Sequence, residues 1–526
     1  MRLDEAIPSG GPLRVIAVAL LFLCCSHLAV KDFFPNPVFW VIGASLIVAV
    51  GVFWLVAWKD HFGLCLALFS SCHFAFADNQ GSIWSYVVVA ILIIGALLGK
   101  WQTVRISSAP FFFNLLIFIL MVHQVAGTAL NSYSPISNLQ ATVVSLSHVL
   151  AFYFCSSQTI AANNIKKFLT IWFFLGAWAF LIGLNQHYHW VITSSPLLPQ
   201  MYRFEGILTN APLGSFGNSE LYGEYFCILF SIALIVLSYR TEFKRVGIGP
   251  IWPGLMALMA IGAMILSSSR SVILLAVAVS LYFGVSFLAF SSSVQNLKRV
   301  LVFISFMFAA GLMILLAGSL FSTGSLMKKF SELTPEKMEL ATIGSGKTIN
   351  RSGAFAAAFR RLESQSFMIG YGYSTPENNL ASMGLGKRSA DYHSLYLSLP
   401  IFYGWLGAAS YLLLVFGTGL RSYIWHFRTR KLGSPLSALA LGFAIIWGVF
   451  MLNEYKIGAT RNHTYFLLTW MLLGLTHAIV NGLRREKEPA GAPNQTASAY
   501  HAAAPFPLTI GLLKNLGDNQ GMRHPL

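Results

Sequence analysis

The sequence predicts an all-α fold, a polytopic membrane bundle of about fourteen transmembrane helices with two long loops on its outer side. Three observations predict it. Apolar residues fill 56% of the 526 positions and charged residues only 10%, where soluble domains carry about a quarter charged. Mean hydropathy is +0.65. The apolar residues also fall into runs of about twenty, the length a helix needs to cross ~30 Å of hydrocarbon. These features exclude a water-soluble globular domain.

The runs cover residues 13–30, 38–57, 62–77, 84–99, 108–126, 138–157, 167–186, 220–238, 250–267, 271–290, 300–320, 394–417, 436–453 and 465–481. Met1 to Gly11 lead into the first without a small-x-small cleavage signal, so a retained helix is expected rather than a removed leader. The short loops test the topology. Positive charge recurs in alternate ones: Lys100 and Arg105; Lys166 and Lys167; Arg240, Lys244 and Arg245; Lys298 and Arg299; Arg421, Arg428, Arg430 and Lys431; Arg484, Arg485 and Lys487. The loops between them are nearly free of Lys and Arg. By the positive-inside rule both termini are cytoplasmic. The expected organisation is a transmembrane domain over 1–481, interrupted by outer loops 187–219 and 321–393, then a disordered cytoplasmic tail over 482–526, which is rich in Pro, Gly, Ala, Asn and Gln.

The net charge of +16 does not indicate nucleic acid, because no separate basic domain exists to bind it. The six cysteines, Cys24, Cys25, Cys65, Cys72, Cys155 and Cys227, lie in or beside apolar runs without CxxC or zinc spacing. They read as small lipid-facing or packing residues. No P-loop, GxGxxG, HExxH or paired-carboxylate metal motif occurs, so no cofactor or metal is expected.

Loop 321–393 carries nine basic residues against six acidic ones, and loops of this length escape the positive-inside rule. Its lysines read equally well as a solvated surface. Arg351 differs. In a helix over 351–362 it shares a face with Phe355, Ala358 and Leu362, which turns it inward when that helix lies on the membrane. A buried guanidinium calls for an anion, and its forked geometry suits phosphate. Arg270, in Ser267-Ser268-Ser269-Arg270-Ser271, lies at a tight turn between two runs and reads either as an interfacial arginine snorkelling to headgroups or as an anion ligand. Arg203, in Tyr202-Arg203-Phe204-Glu205-Gly206, has Glu205 as its bland partner. His393 opens the helix after the long loop, in Asp391-Tyr392-His393-Ser394-Leu395, and imidazole is the side chain suited to accept a proton near neutrality. Pro400 is expected to kink that helix. Glu220 and Glu224, one turn apart, read as substrate ligands or as charges favoured at a helix start. Other histidines, such as His73, His123 and His148, read as hydrogen-bonded packing residues.

The segment from Arg351 to Gly407 resembles the O-antigen ligase and polymerase superfamily of bacterial envelopes. Arg351 and an amphipathic stretch precede Ile369-Gly370-Tyr371-Gly372-Tyr373; then come His393-Ser394-Leu395-Tyr396-Leu397 and Tyr403-Gly404-Trp405-Leu406-Gly407. The family's usual forms of the last two are His-Asn-x-x-Leu and Gly-x-x-Gly, so Ser394 and Pro400 are departures. Ser269-Arg270-Ser271 is similar to its Ser-Arg motif, and Arg203-Phe204-Glu205-Gly206 with Gly217-Asn218 to its Arg…Gly…Gly-Asn region. Together these motifs occupy about a third of the chain.

The resemblance implies a metal-independent, inverting glycosyltransferase of the bacterial inner membrane with its site facing the periplasm. Its donor would be a glycan on undecaprenyl pyrophosphate. Arg203, Arg270 and Arg351 would bind the pyrophosphate and His393 would activate the acceptor hydroxyl. The acceptor separates a polymerase, which extends another lipid-linked glycan and is favoured here by the number of spans, from an O-antigen ligase, which uses lipid A-core. Implied partners are the bilayer, the two glycans and a chain-length regulator or other envelope polysaccharide proteins. From another class, a lipid-glycan flippase or transporter would show internal repeats and ionisable groups near the midplane; no repeat is visible.

The topology makes one direct forecast. A cysteine placed at Ser352 should react with an impermeant thiol reagent on cells whose outer membrane alone is permeabilised. Labelling that requires opening of the inner membrane would reverse the orientation.

Overall fold

The computed structural model describes residues 61–73, 109–130, 135–158, 160–188, 219–267, 269–289, 340–342, 348–350, 369–370, 394–454 and 463–487, together with Pro212 and Phe216. The expected spans at 13–30, 38–57, 84–99 and 300–320, the amphipathic helix over 351–362 and the tail beyond residue 487 lie outside these residues. The chain divides into a compact unit over Met1–Leu483 and a second over Arg484–Leu526.

The helices are α1 (His61–Ser71), α2 (Phe111–Leu130), α3 (Pro135–Ser156), α4 (Ala162–Tyr188), α5 (Ser219–Ser238), the short α6 (Arg240–Arg245), α7 (Ile251–Leu266), α8 (Arg270–Ala289), α9 (Leu395–Thr429), α10 (Pro435–Asn453) and α11 (His463–Lys487). Segments of α4, α5, α10 and α11, and α9 with its trailing turn, are long and apolar enough to cross a membrane. α2, α3, α7 and α8 contain shorter apolar segments. The outward faces agree: Phe111 is 80% exposed, Phe118 65% and Leu274 63%. Such an apolar exterior would be a liability in water and is what lipid requires. The protein is a helical membrane protein.

One departure from an all-α chain falls within segment 321–393. Leu340–Thr342 pairs antiparallel with Thr348–Asn350, Ala341 standing opposite Ile349. Thr342, Thr348 and Ile349 are β-branched and suit a strand, and Gly344 and Gly346 stand between the two strands in sequence.

α5 is buried continuously from Leu221 to Val236, as expected of a helix apolar all round. It packs against α4, α7, α8 and α10, while α9 packs against α2 and α10. Lipid is as apolar as leucine, so helices associate through close packing and interhelical hydrogen bonds rather than through escape from water. Both devices are present. A Cβ on Gly474 of α11 would stand 2.5 Å from the Phe152 carbonyl of α3, so the backbones meet there. The Trp447 indole donates to Thr476 Oγ1 at 2.9 Å, and Arg421 of α9 bonds to His477 and to Asn481 Oδ1 on α11. The histidines do act as packing residues: His148 stacks on Trp470, and His73 Nδ1 lies 2.9 Å from the Phe69 carbonyl. The described cysteines are buried between helices rather than facing lipid.

Three loops expected on one side of the membrane lie at one end of this bundle. Arg245, the last residue of α6, donates to the Gly433 carbonyl between α9 and α10 at 3.3 Å, and Lys166 Nζ stands beside Gly247.

α9 holds 35 residues, about 52 Å at 1.5 Å per residue, which exceeds the ~30 Å of a hydrocarbon core. The helix is broken, but not at Pro400. The proline keeps helical angles, and the break falls at Gly404, with φ 70° and ψ 172°. Proline's fixed φ near −65° fits a helix and costs a hydrogen bond, whereas the Gly404 angles belong to a region essentially confined to glycine. The break divides a short helix, 395–403, from a span, 405–429. Gly404→Ala should therefore lower the unfolding free energy in detergent by about 1–3 kcal/mol. Gly448→Ala, where an added Cβ meets nothing within 4 Å, should be neutral or raise it by up to about 1 kcal/mol. Equal melting curves for the two variants would remove the strain argument.

Candidate functional site

Arg203, Arg351 and His393 lie outside the described residues. Arg270 is the first residue of α8, at the turn that the sequence predicts. That turn is built from serine. Ser267 caps α7 with its N–H on the Ala263 carbonyl at 2.9 Å, and its hydroxyl donates to the Met264 carbonyl at 2.7 Å. The same hydroxyl oxygen accepts the Ser269 N–H at 3.3 Å, and the Ser269 and Ser271 hydroxyls pair at 3.1 Å. Hydroxyls that take up the open groups at two abutting helix ends explain why serine fills a turn this short.

The turn packs on α5. A Cβ on Gly223 would lie 2.6 Å from Ser267 Oγ and 3.1 Å from Val272 Cγ2, so glycine is what allows this approach. The next residue, Glu224, is fully buried. Tyr465, in the first turn of α11, donates its hydroxyl to Glu224 Oε1 at 2.6 Å, and Asn453, the last residue of α10, donates its amide to Oε2. Glu224, which the sequence reads as a substrate ligand or a helix-start charge, is held in a clamp across three helices. Glu220 does sit in the first turn of α5.

The clamp continues into α9. Glu454, beside Asn453, accepts the Leu395 N–H on its main-chain carbonyl at 2.9 Å, and the Tyr396 hydroxyl donates to the Met451 carbonyl at 2.5 Å. The helix expected to open at His393 thus begins at Leu395. Ser394 is its extended N-cap, with φ −155° and ψ 127°. The Ser394 carbonyl accepts from the Ser398 hydroxyl at 2.9 Å. Its own hydroxyl is buried, with no hydrogen-bond partner among the described residues.

Two of the glycine motifs meet at the break in α9. A Cβ on Gly370 would fall 2.3 Å from the carbonyl carbon and oxygen of Phe402 and 2.4 Å from the Gly404 nitrogen. Gly370 therefore lies backbone to backbone on the broken turn. One turn later a Cβ on Gly407 would stand 2.7 Å from Tyr403 Cβ and 3.3 Å from His123 Cβ of α2. The Gly-x-x-Gly spacing has a steric origin: the first glycine takes the break and the second clears the side chain that the break turns back.

Along their spans α8, α9 and α10 line an apolar groove of about 510 Å³, walled by Leu275, Val279, Phe416, Leu420 and Trp447 among others. Leu275 is five residues beyond Arg270. Among the described residues, no three His, Cys, Asp or Glu side chains converge as a metal site would need. Asn453, Glu454 and Tyr465 are not among the sequence candidates. Their signal is modest: an Asn-Glu pair that ends one apolar run and a tyrosine that begins the next.

Compared with protein-family models the chain matches none, and no curated protein matches it.

Proposed function

We propose that this protein is an integral membrane glycosyltransferase of the O-antigen polymerase and ligase kind, acting at the periplasmic face of a bacterial inner membrane. It moves a glycan from undecaprenyl pyrophosphate to the hydroxyl of a second lipid-linked glycan and so polymerises repeat units. One observation carries the reading beyond the sequence motifs. α8, opened by Arg270, and α9, which begins two residues after His393, are linked through consecutive residues of α5: Gly223 touches the turn before Arg270, and Glu224 holds the α10 end that caps α9.

The chemistry follows from these residue types. The pyrophosphate leaving group gains charge as the glycosidic bond breaks, and arginines at Arg203, Arg270 and Arg351 offset it without a divalent ion. His393 takes the proton of the acceptor hydroxyl as its oxygen attacks the anomeric carbon from the side opposite the pyrophosphate. The groove along α8 is apolar enough to take a polyprenyl chain whose phosphates lie near Arg270.

The test divides labour between the histidine and the arginines. His393→Ala should lower turnover by roughly 10² or more while donor affinity stays close to wild type. Arg270→Ala and Arg351→Ala should weaken both donor binding and turnover, and lysine at either position should restore only part, since it lacks the planar two-donor fork. Wild-type transfer per folded molecule in His393→Ala sinks the assignment. In cells, surface glycan reduced to one repeat unit fits a lost polymerase. Long chains stranded on the lipid carrier would instead mean a ligase.

A further inference from the structure

We propose that Glu224 is a positioning residue for this transfer, holding the start of α9, the helix that follows His393 in sequence, in register with the turn that precedes Arg270. The inference rests on the reading of His393 as the base. It starts from an oddity of composition: a carboxylate one turn inside a membrane helix, fully buried. Burying such a group away from water is costly unless it is hydrogen-bonded, and ionisable residues within membrane bundles mark function more often than packing.

The geometry points to what the carboxylate does. Its two oxygens accept from different helices, Tyr465 on α11 at 2.6 Å and Asn453 on α10. A planar group with two acceptors fixes the angle between its donors, which an apolar side chain of the same volume does not. Asn453 is followed by Glu454, whose carbonyl receives Leu395 N–H at 2.9 Å. Tyr396 reaches the same helix end through the Met451 carbonyl. On the other side of Glu224, Gly223 sits on Ser267 and Val272. The path from the turn before Arg270 to the cap of α9 therefore runs through adjacent residues of α5 and one hydrogen-bonded carboxylate. α9 needs such a hold, because the break at Gly404 uncouples its first turns from the span that follows. A base displaced by an ångström from its proton loses most of its advantage.

The experiment is a double-mutant cycle on the purified full-length protein, assayed with a lipid-linked glycan donor. Glu224→Leu should lower kcat roughly ten- to hundredfold with donor KM unchanged, and Glu224→Gln should restore most of it, since an amide still accepts from Tyr465 and can pair with a reoriented Asn453. In a His393→Ala background Glu224→Leu should cost nothing further, because there is no base left to position. Equal fold losses in both backgrounds would overturn the positioning role while leaving His393 as the base. His393→Ala at wild-type turnover would instead overturn the functional reading beneath it. If Glu224→Leu does not fold, Tyr465→Phe, which removes one hydrogen bond and little volume, enters the same cycle under the same criteria.

Discussion

A bilayer offers no hydrogen-bond partner to an open backbone group, and much of the architecture around α9 answers to that constraint. A helix satisfies its own N–H and C=O groups, so unbroken spans need nothing more. α9 is broken at Gly404, and non-helical backbone at such a place is tolerated only where protein or water covers it. Gly370 supplies cover by lying directly on Phe402 and Gly404, at a distance that leaves no room for a side chain. The break in turn frees the 395–403 segment from the axis of the span, which allows Leu395 to meet the end of α10 rather than project beyond the bundle. One glycine-on-glycine contact thus links the chain at Gly370 to the break in α9.

Polar groups at this end follow a similar economy. Ser267 closes α7 and opens the way to α8 with a single hydroxyl. Glu224 joins three helices with a single carboxylate. Each is a small polar group used twice, which keeps the number of buried polar atoms low in a medium where each one is expensive. Another polar cross-link, between Arg421, His477 and Asn481, ties α9 to α11 toward the end where the basic loops gather. α9 is therefore anchored on both sides of its break, by main-chain contacts at one end and by a guanidinium toward the other.

The helices were legible because lipid makes hydrophobic length a nearly sufficient signal. The expected runs at 108–126, 220–238 and 436–453 correspond to Phe111–Leu130, Ser219–Ser238 and Pro435–Asn453. The serine turn before Arg270 was legible too, since two apolar runs with three residues between them allow little else. The break was not. Pro400 is the louder signal, yet its ring fits helical φ, and what matters at Gly404 is a ψ that only contact with Gly370 makes sense of. The Glu224 clamp was hidden for another reason. Its partners lie 229 and 241 residues away in sequence, and no periodicity on α5 reports what α10 and α11 present. Sequence gave the carboxylate a face; only packing gives it donors.

The same distinction bears on how the motifs should be weighed. Gly370, Gly404 and Gly407 fall in stretches that resemble a family of glycan-transferring enzymes, but their described contacts are steric: close approach, a broken turn and clearance for Tyr403. They argue for an architecture in which a loop is fastened onto a broken helix, and such architectures in membranes are built around sites that need backbone or side chains held at an irregular place. They do not by themselves supply chemistry. The serine turn leads into Arg270, the cap of α9 follows His393 by one residue, and Gly223-Glu224 of α5 stands between the two. α5, buried continuously from Leu221 to Val236, therefore lies between the turn that opens α8 and the end of α10 that caps α9.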